Sequence, residues 1–479
     1  MFNLLQNDLL KVLYIITIVF MVVLVIQQRG DPMKTIAWLL VVTFVPLLGI
    51  VLYFYFGKNY RKEKIFSRKE LADSEQIKRL AQYQPGDKPD ASCWSAGKAH
   101  IIKMLYNSDK ALLTERNRVK ILVNGKVAFE HIIEELNKAE KHIHLEYYII
   151  DDDRIGNEVR RILIKKAQEG LEVRVIYDDI GCWSLSDEFI LSLKNAGVQV
   201  FPFMPVRFPY FTNKVNYRNH RKIIVIDGKV GFVGGMNIAD RYISGSKELG
   251  PWRDTHLKIE GEAVYSLQSV FLPDWYFVSK SNIYHQDKYF PPVEITDRNL
   301  MQIVVSGPDS DWASIMQTYF SAIATAQSYI YISTPYFLPN ESILTAMRTA
   351  SLSGVDVRLL LPEHSDSKLV SWSSFSYIGE LLDAGVKVYL YQKGYAHSKL
   401  MMVDDAFCSI GTANMDIRSF DQNFEINALI YDQRKTAALR NIFMNDIKGL
   451  KYININEWEN RPRWIVFRES VARLFSPLL

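Results

Sequence analysis

The sequence predicts an α/β protein built from two pseudo-symmetric halves behind an N-terminal transmembrane helical hairpin, on the strength of three observations. The stretch Asn219 to Asn237, NHRKIIVIDGKVGFVGGMN, recurs 177 residues later as AHSKLMMVDDAFCSIGTAN, Ala396 to Asn414. Strand-like and helix-like segments alternate around both copies in the same order. Two long apolar runs precede them.

Taken in order, Leu9 to Ile26 is apolar apart from Lys11, and Thr35 to Phe56 has 22 residues without a charge. At about 1.5 Å per helical residue the second run can cross a hydrocarbon layer roughly 30 Å thick. The first lacks the basic start and small-residue cleavage site of a signal peptide. A Gly-Asp-Pro turn, Gly30 to Pro32, joins the two as a hairpin. Lys58, Arg61, Lys62, Lys64, Arg68 and Lys69, against Glu63 and Glu70, then place residue 58 onward in the cytoplasm by the positive-inside rule. The same basic run suits an anionic lipid surface as well as it suits a topology signal. Gln84 to Ser95, rich in Pro, Gly and Ser, reads as a linker.

The catalytic body is expected from residue 106. Ala139 to Ile150 parallels Ala326 to Phe337, Glu169 to Tyr177 parallels Ser353 to Leu361, and Ala196 to Val200 parallels Ala384 to Val388. Each half therefore reads as a βαβ series on a parallel or mixed sheet. The expected divisions are residues 1–57 for the anchor, 58–105 for the basic segment and linker, 106–290 for the first half and 291–479 for the second. Net charge is a modest +4, and 48% of the 479 residues are hydrophobic, which excludes a disordered chain. Three scattered cysteines, Cys93, Cys182 and Cys408, exclude a disulfide framework and read as free thiols in a reducing compartment.

Both copies of the long repeat carry HxKxxxxD: His220, Lys222 and Asp227, then His397, Lys399 and Asp404. The apolar run after each lysine reads as a short buried strand, whose period of two puts His and Lys on one face. A histidine that attacks or protonates, beside a lysine that neutralises charge, suits a phosphodiester. A small-residue turn with an amide follows each, ending in Asn237 and Asn414, and Arg241 and Arg418 keep the same shift.

This doubled motif resembles the phospholipase D superfamily, from about residue 106 to the end. The resemblance implies two phospholipase D-like halves sharing one active site across a pseudo-twofold axis, with His220 as nucleophile and His397 as general acid and base. The symmetry of the repeats leaves that order open on the residues alone. Lys222, Lys399, Asn237 and Asn414 would bind the nonbridging oxygens. Asp227 and Asp404, counted with the catalytic set, lie at strand ends where a turn or ion-pair role is more natural. The resemblance places the orienting carboxylates at Asp254 and Glu425. The scheme needs no cofactor and no metal.

Within the superfamily, the two N-terminal spans, NYRNHRK at the first motif and RSFDQNFE after the second are similar to bacterial cardiolipin synthases. That implies phosphatidyl transfer between two phosphatidylglycerol molecules with cardiolipin as product, and the charge asymmetry around the spans places the action at the inner leaflet. The alternative is a membrane-tethered phospholipase D or nuclease, with water as acceptor. A non-catalytic scaffold is disfavoured by intact His and Lys in both copies.

Three further features have two readings each. His142, His144 and Glu146 outline a metal site, but ligands at i, i+2 and i+4 on a straight strand do not converge, and Glu146 reads instead as lining the pocket. Residues 207–221 interleave Arg/Lys with aromatics, which fits single-stranded nucleic acid or a lipid interface, and the membrane spans favour lipid. The C-terminal helix places Trp464, Phe467, Val471, Leu474 and Leu478 on one stripe, for which packing on the body is favoured over lying in the membrane interface.

Overall fold

Buried runs such as Lys222–Ile226 (KIIVI) and Leu400–Val403 (LMMV) have no polar side to give to water, so they form central strands of one large sheet. The computed structural model describes residues 96–206, 216–283 and 287–478, together with 15–16, 18–23, 25–27, 32–45, 49–50 and 52–53. The chain divides into two units, residues 1–65 with 206–216, and residues 66–205 with 217–479.

In the first unit, helix Pro32–Phe44 contributes Val42 to a small cluster with Met21, Val25 and Tyr53, and Trp38 meets Tyr53 edge-on at 5.5 Å. Among the described residues no helix is long and apolar enough to cross a membrane. Both expected spans run into residues outside those described, and so do the basic run, the linker, Cys93 and residues 207–215 of the aromatic loop.

The second unit holds fourteen strands in one sheet. In chain order they are β1 (Leu113–Val123), β2 (His142–Tyr147), β3 (Glu172–Asp178), β4 (Gln199–Phe203), β5 (Lys222–Ile226), β6 (Val230–Gly234) and β7 (Thr255–Gly261), then β8 (Arg298–Ser306), β9 (Tyr329–Ser333), β10 (Asp356–Pro362), β11 (Lys387–Tyr391), β12 (Leu400–Val403), β13 (Phe407–Gly411) and β14 (Glu425–Ile430). Their spatial order, β11-β10-β9-β12-β13-β14-β8-β1-β7-β6-β5-β2-β3-β4, is a palindrome. Each half repeats the same pairings, parallel from β2 to β4 and from β9 to β11, and antiparallel elsewhere. The halves join where β1 and β8 pair antiparallel.

Helices cover both faces. One apolar layer lies under Asn124–Lys138, Arg154–Gln168 and Asp187–Asn195 in the first half, and another under Ser314–Ala324 and Glu341–Leu352 in the second. The opposite face packs on Ala263–Ser279 and Gln433–Asp446. Several helices start on the side-chain caps their sequences offer: Asp153 accepts from Gly156 N–H, Ser186 from Phe189, Asn340 from Ile343 and Asp432 from Lys435. Cys182 and Cys408 are buried free thiols.

Candidate active site

His220 precedes its strand by two residues and His397 by three, each in a segment that leaves its own half. The backbone N–H of His220 donates to Phe424 O at 2.9 Å, and that of His397 to Arg253 O at 2.8 Å. Asn219 bridges Phe424 in parallel, and Tyr395–Ala396 pairs in parallel with Trp252–Arg253. Each histidine is thus tied to the residue just before the other half's candidate carboxylate. Arg253 reinforces one crossing through a two-pronged bond to Asp446, both contacts at 2.8 Å.

The carboxylates follow the crossing. Glu425 places both oxygens 2.9 Å from His220 Nδ1, and Asp254 Oδ2 lies 2.7 Å from His397 Nδ1. A carboxylate at Nδ1 holds the proton there and leaves the Nε2 lone pair toward the cavity. Thr412 Oγ1 donates to Glu425 at 2.5 Å. The repeat puts Gly235 at the matching position, where an added Cβ would stand 2.3 Å from Asp254 Oδ1. The shorter acid therefore packs onto bare backbone and the longer one onto a hydroxyl.

Both lysines are buried beside their histidines. Lys222 Nζ donates to His220 O at 2.8 Å, while Lys399 Nζ reaches His397 O at 2.6 Å and His397 Nε2 at 3.1 Å. Burial pushes Lys222 down to about 7 and Lys399 to about 8, against the opposing pull of Glu425 and Asp254. Burial also lowers His220 to about 4, despite Glu425, and holds His397 well below its ordinary value, with Lys399 adding to the effect. Although burial works against its charge, Glu425 sits below the usual carboxylate value because His220, Lys222 and Thr412 favour the anion. Burial raises Asp254.

His220 and His397 line one cavity of about 670 Å³, with Asn237, Asn414, Arg241 and Arg418 in its wall. The Asn237 side chain is already engaged, accepting from Ile149 N–H at 3.2 Å and donating to the Tyr242 hydroxyl at 2.8 Å. The repeat-related arginines differ: Arg241 pairs with Asp151 at 3.0 Å, whereas Arg418 bonds Asn423 at 3.4 Å and has no carboxylate partner among the described residues. Tyr148, Trp252 and Asp366 also line the cavity, and Trp252 contacts the His397 ring at 5.2 Å. None of these three repeats between the halves, so the repeat alone could not have singled them out.

The motif aspartates stand apart from the histidines. Asp227 accepts the backbone N–H groups of Glu140, Lys141 and His142, each at 2.8 Å. Asp404 accepts those of Gln327, Ser328 and Tyr329 at 2.7, 2.7 and 2.9 Å. Five residues of extended chain at about 3.3 Å each separate them from the lysines. Glu146 does not line the cavity. It is buried beneath it and accepts from Asn219 Nδ2 at 2.6 Å, one residue before His220, and burial together with nearby Asp274 raises its carboxyl well above the usual range. His144 contacts Gln268 and Arg174 through its two ring nitrogens, so a guanidinium stands 3.1 Å from Nε2, where a metal would have to bind.

A mirrored α/β sheet that brings two HxKxxxxD motifs to one cavity defines a phospholipase D-like protein. The chain belongs to the cardiolipin synthase family of that class: the family described as "Cardiolipin synthase, PLD-like domain" matches residues 132–275 and 319–447, and "Phospholipase_D-nuclease N-terminal" matches residues 12–58. Similar proteins include the cardiolipin synthase of Geobacillus sp. strain WCH70, 43% identical over 98% of this chain and 94% of its own length. That of Listeria monocytogenes serotype 4b strain F2365 is 40% identical over 98% and 99%. A phosphatidylserine synthase from Haemophilus influenzae Rd KW20 shares the fold, with a TM-score of 0.61 and 17% identity over 80% of this chain and 100% of that one.

Proposed function

We propose that this protein is a cardiolipin synthase that moves a phosphatidyl group from one phosphatidylglycerol to another and releases glycerol. His220 Nε2 attacks phosphorus, the bond to the glycerol oxygen breaks, and protonated His397 gives that oxygen its proton. The hydroxyl of a second phosphatidylglycerol then passes its proton to His397 and attacks phosphorus, breaking the P–N bond. The observation that carries this reading is the pair of histidines on one cavity, each with a carboxylate at Nδ1, in a chain over 40% identical to named cardiolipin synthases across nearly its whole length. Lys222 and Lys399 neutralise the nonbridging oxygens and Asn414 donates to them, with the Asn237 amide offering the one N–H it does not give to Tyr242. Asp227 and Asp404 support the sheet rather than touch substrate.

The phosphodiester brings its own negative charge, which raises the affinity of His397 for a proton at the moment a general acid is required. The two apolar N-terminal spans support a multi-pass anchor in the cell membrane, and the basic run after them supports a catalytic body at the anionic inner leaflet. On this reading the boundary between the two halves falls between residues 290 and 291. Purified protein given phosphatidylglycerol alone, with the lipids resolved by mass, tests the reaction. Cardiolipin and free glycerol in equal amounts are expected, and phosphatidic acid as the dominant product would replace the synthase by a hydrolase.

A further inference from the structure

The C-terminal helix Arg463–Arg473 is packed the opposite way round from its sequence pattern. Its buried side carries Glu469 and Ala472, and both Glu469 oxygens are held by Arg461 at 3.0 Å. Against helix Lys368–Phe375, Arg468 lies over the Trp372 ring at 4.3 Å, and Ser476 bonds Ser373 at 2.7 Å. The apolar stripe expected to face the body faces out instead: Trp464, Phe467, Val471 and Leu474 are 62%, 72%, 40% and 77% exposed. Single exposed apolar residues are ordinary, but a contiguous aromatic and aliphatic stripe is an interaction surface.

We propose that this face docks on an anionic phospholipid bilayer and seats the rim of the cavity against it. Three observations choose lipid as the occupant. The helix's one carboxylate, Glu469, is turned inward and neutralised, so the outer face presents no negative charge. Arg463 flanks the stripe without a carboxylate partner among the described residues, and Arg468, packed over Trp372, also lies 5.1 Å from the Trp464 ring at the edge of that stripe. The supporting helix begins two residues after Asp366, which lines the cavity together with Ser365, so the C-terminal helix is packed on an element that leads away from the cavity wall. The choice of lipid rests on the proposed reaction, whose substrates reach the cavity from a bilayer.

The test uses the full chain with Cys93→Ser, reconstituted in phosphatidylglycerol vesicles that contain shallow nitroxide lipids. Single substitutions Phe467→Cys, Leu474→Cys and, as control, Leu352→Cys carry an environment-sensitive fluorophore. Leu352 is 73% exposed and precedes β10, whose far end leads to Ser365 and Asp366. Quenching at 467 and 474 is expected to exceed that at 352 by about threefold or more, as for side chains at the headgroup boundary. Equal quenching at all three positions overturns the proposal, and a blue-shifted label that nitroxide lipids do not quench does so in favour of a protein partner.

The double variant Phe467→Asp/Leu474→Asp is expected to lose about tenfold of its turnover on vesicle lipid and little on short-chain monomeric phosphatidylglycerol. Equal loss on both substrates also counts against docking. Strong quenching without turnover of either substrate sinks the proposed reaction and leaves the docking face standing.

Discussion

At the residue scale, the crossed pairing of acids and histidines turns two equivalent-looking halves into separable roles. Glu425 serves His220 and Asp254 serves His397, so neutralising each acid should stall a different step. Glu425→Gln should lower kcat by about 10²- to 10⁴-fold and suppress formation of the histidine adduct, the range expected when an imidazole loses its orienting group. Asp254→Asn should lower kcat comparably, yet with a reactive leaving group that needs no protonation an adduct should still accumulate on His220, because attack is intact and deprotonation of the acceptor is not. Peptide mapping of quenched reactions distinguishes them, and an adduct on His397 in either variant reverses the assignment. The pH profile follows from the same burial. His220 keeps its lone pair only above about 4 and Lys222 carries its charge only below about 7, while His397, held well below its ordinary value, sheds its proton as pH rises, so kcat/KM should decline across that window and fall more steeply past about 7. Lys222→Arg, which retains its charge, should move the alkaline fall upward. An unchanged fall in that variant assigns the limb to another group.

At the element scale, the motif aspartates belong to the sheet. Each sits at a positive φ, 55° for Asp227 and 54° for Asp404, and collects three N–H groups from the start of the neighbouring strand. Removing one carboxylate strands those donors, at about 1–3 kcal/mol for each one left unsatisfied. Asp227→Ala should therefore lower unfolding stability by several kcal/mol, and Asp404→Ala by less because Gln327 and Ser328 are exposed to water, while kcat of the folded fraction falls less than about tenfold. A thousandfold loss of kcat with unchanged denaturant midpoint would return the aspartates to the chemistry. Much of this layer was legible in the sequence. The runs after Lys222 and Lys399 are apolar on both faces, which fits only a central strand, and the doubled alternation announced a doubled sheet. The partners of the carboxylates were not legible, because a histidine and the acid 205 or 143 residues away meet through tertiary packing that local pattern does not encode. The orientation of the C-terminal helix was hidden for a similar reason. Periodicity reveals that a stripe exists, but a satisfied Glu469–Arg461 pair allowed the other face to be buried.

At the scale of the whole molecule, the palindromic sheet makes one site from two incomplete halves, and that site exchanges one phosphodiester for another. The proposed phosphohistidine, enclosed in a cavity of about 670 Å³, would be open to whichever hydroxyl enters it. If the acceptor is a second lipid, substrate and product bonds are chemically alike, the free-energy gap is small, and the reaction should run in both directions. Cardiolipin incubated with the enzyme and excess glycerol should regenerate phosphatidylglycerol. A hydrolase behaves otherwise, because water at about 55 M drains the same intermediate irreversibly to phosphatidic acid. The proposed membrane anchor would tilt this competition, since an enzyme confined to a bilayer meets the lipid hydroxyl at high effective concentration. Transfer to dilute detergent micelles should therefore raise the share of phosphatidic acid, and returning the enzyme to lipid-rich vesicles should restore cardiolipin. Phosphatidic acid as the main product from both phosphatidylglycerol and cardiolipin, in vesicles as well as micelles, would leave a membrane phospholipase in place of the synthase.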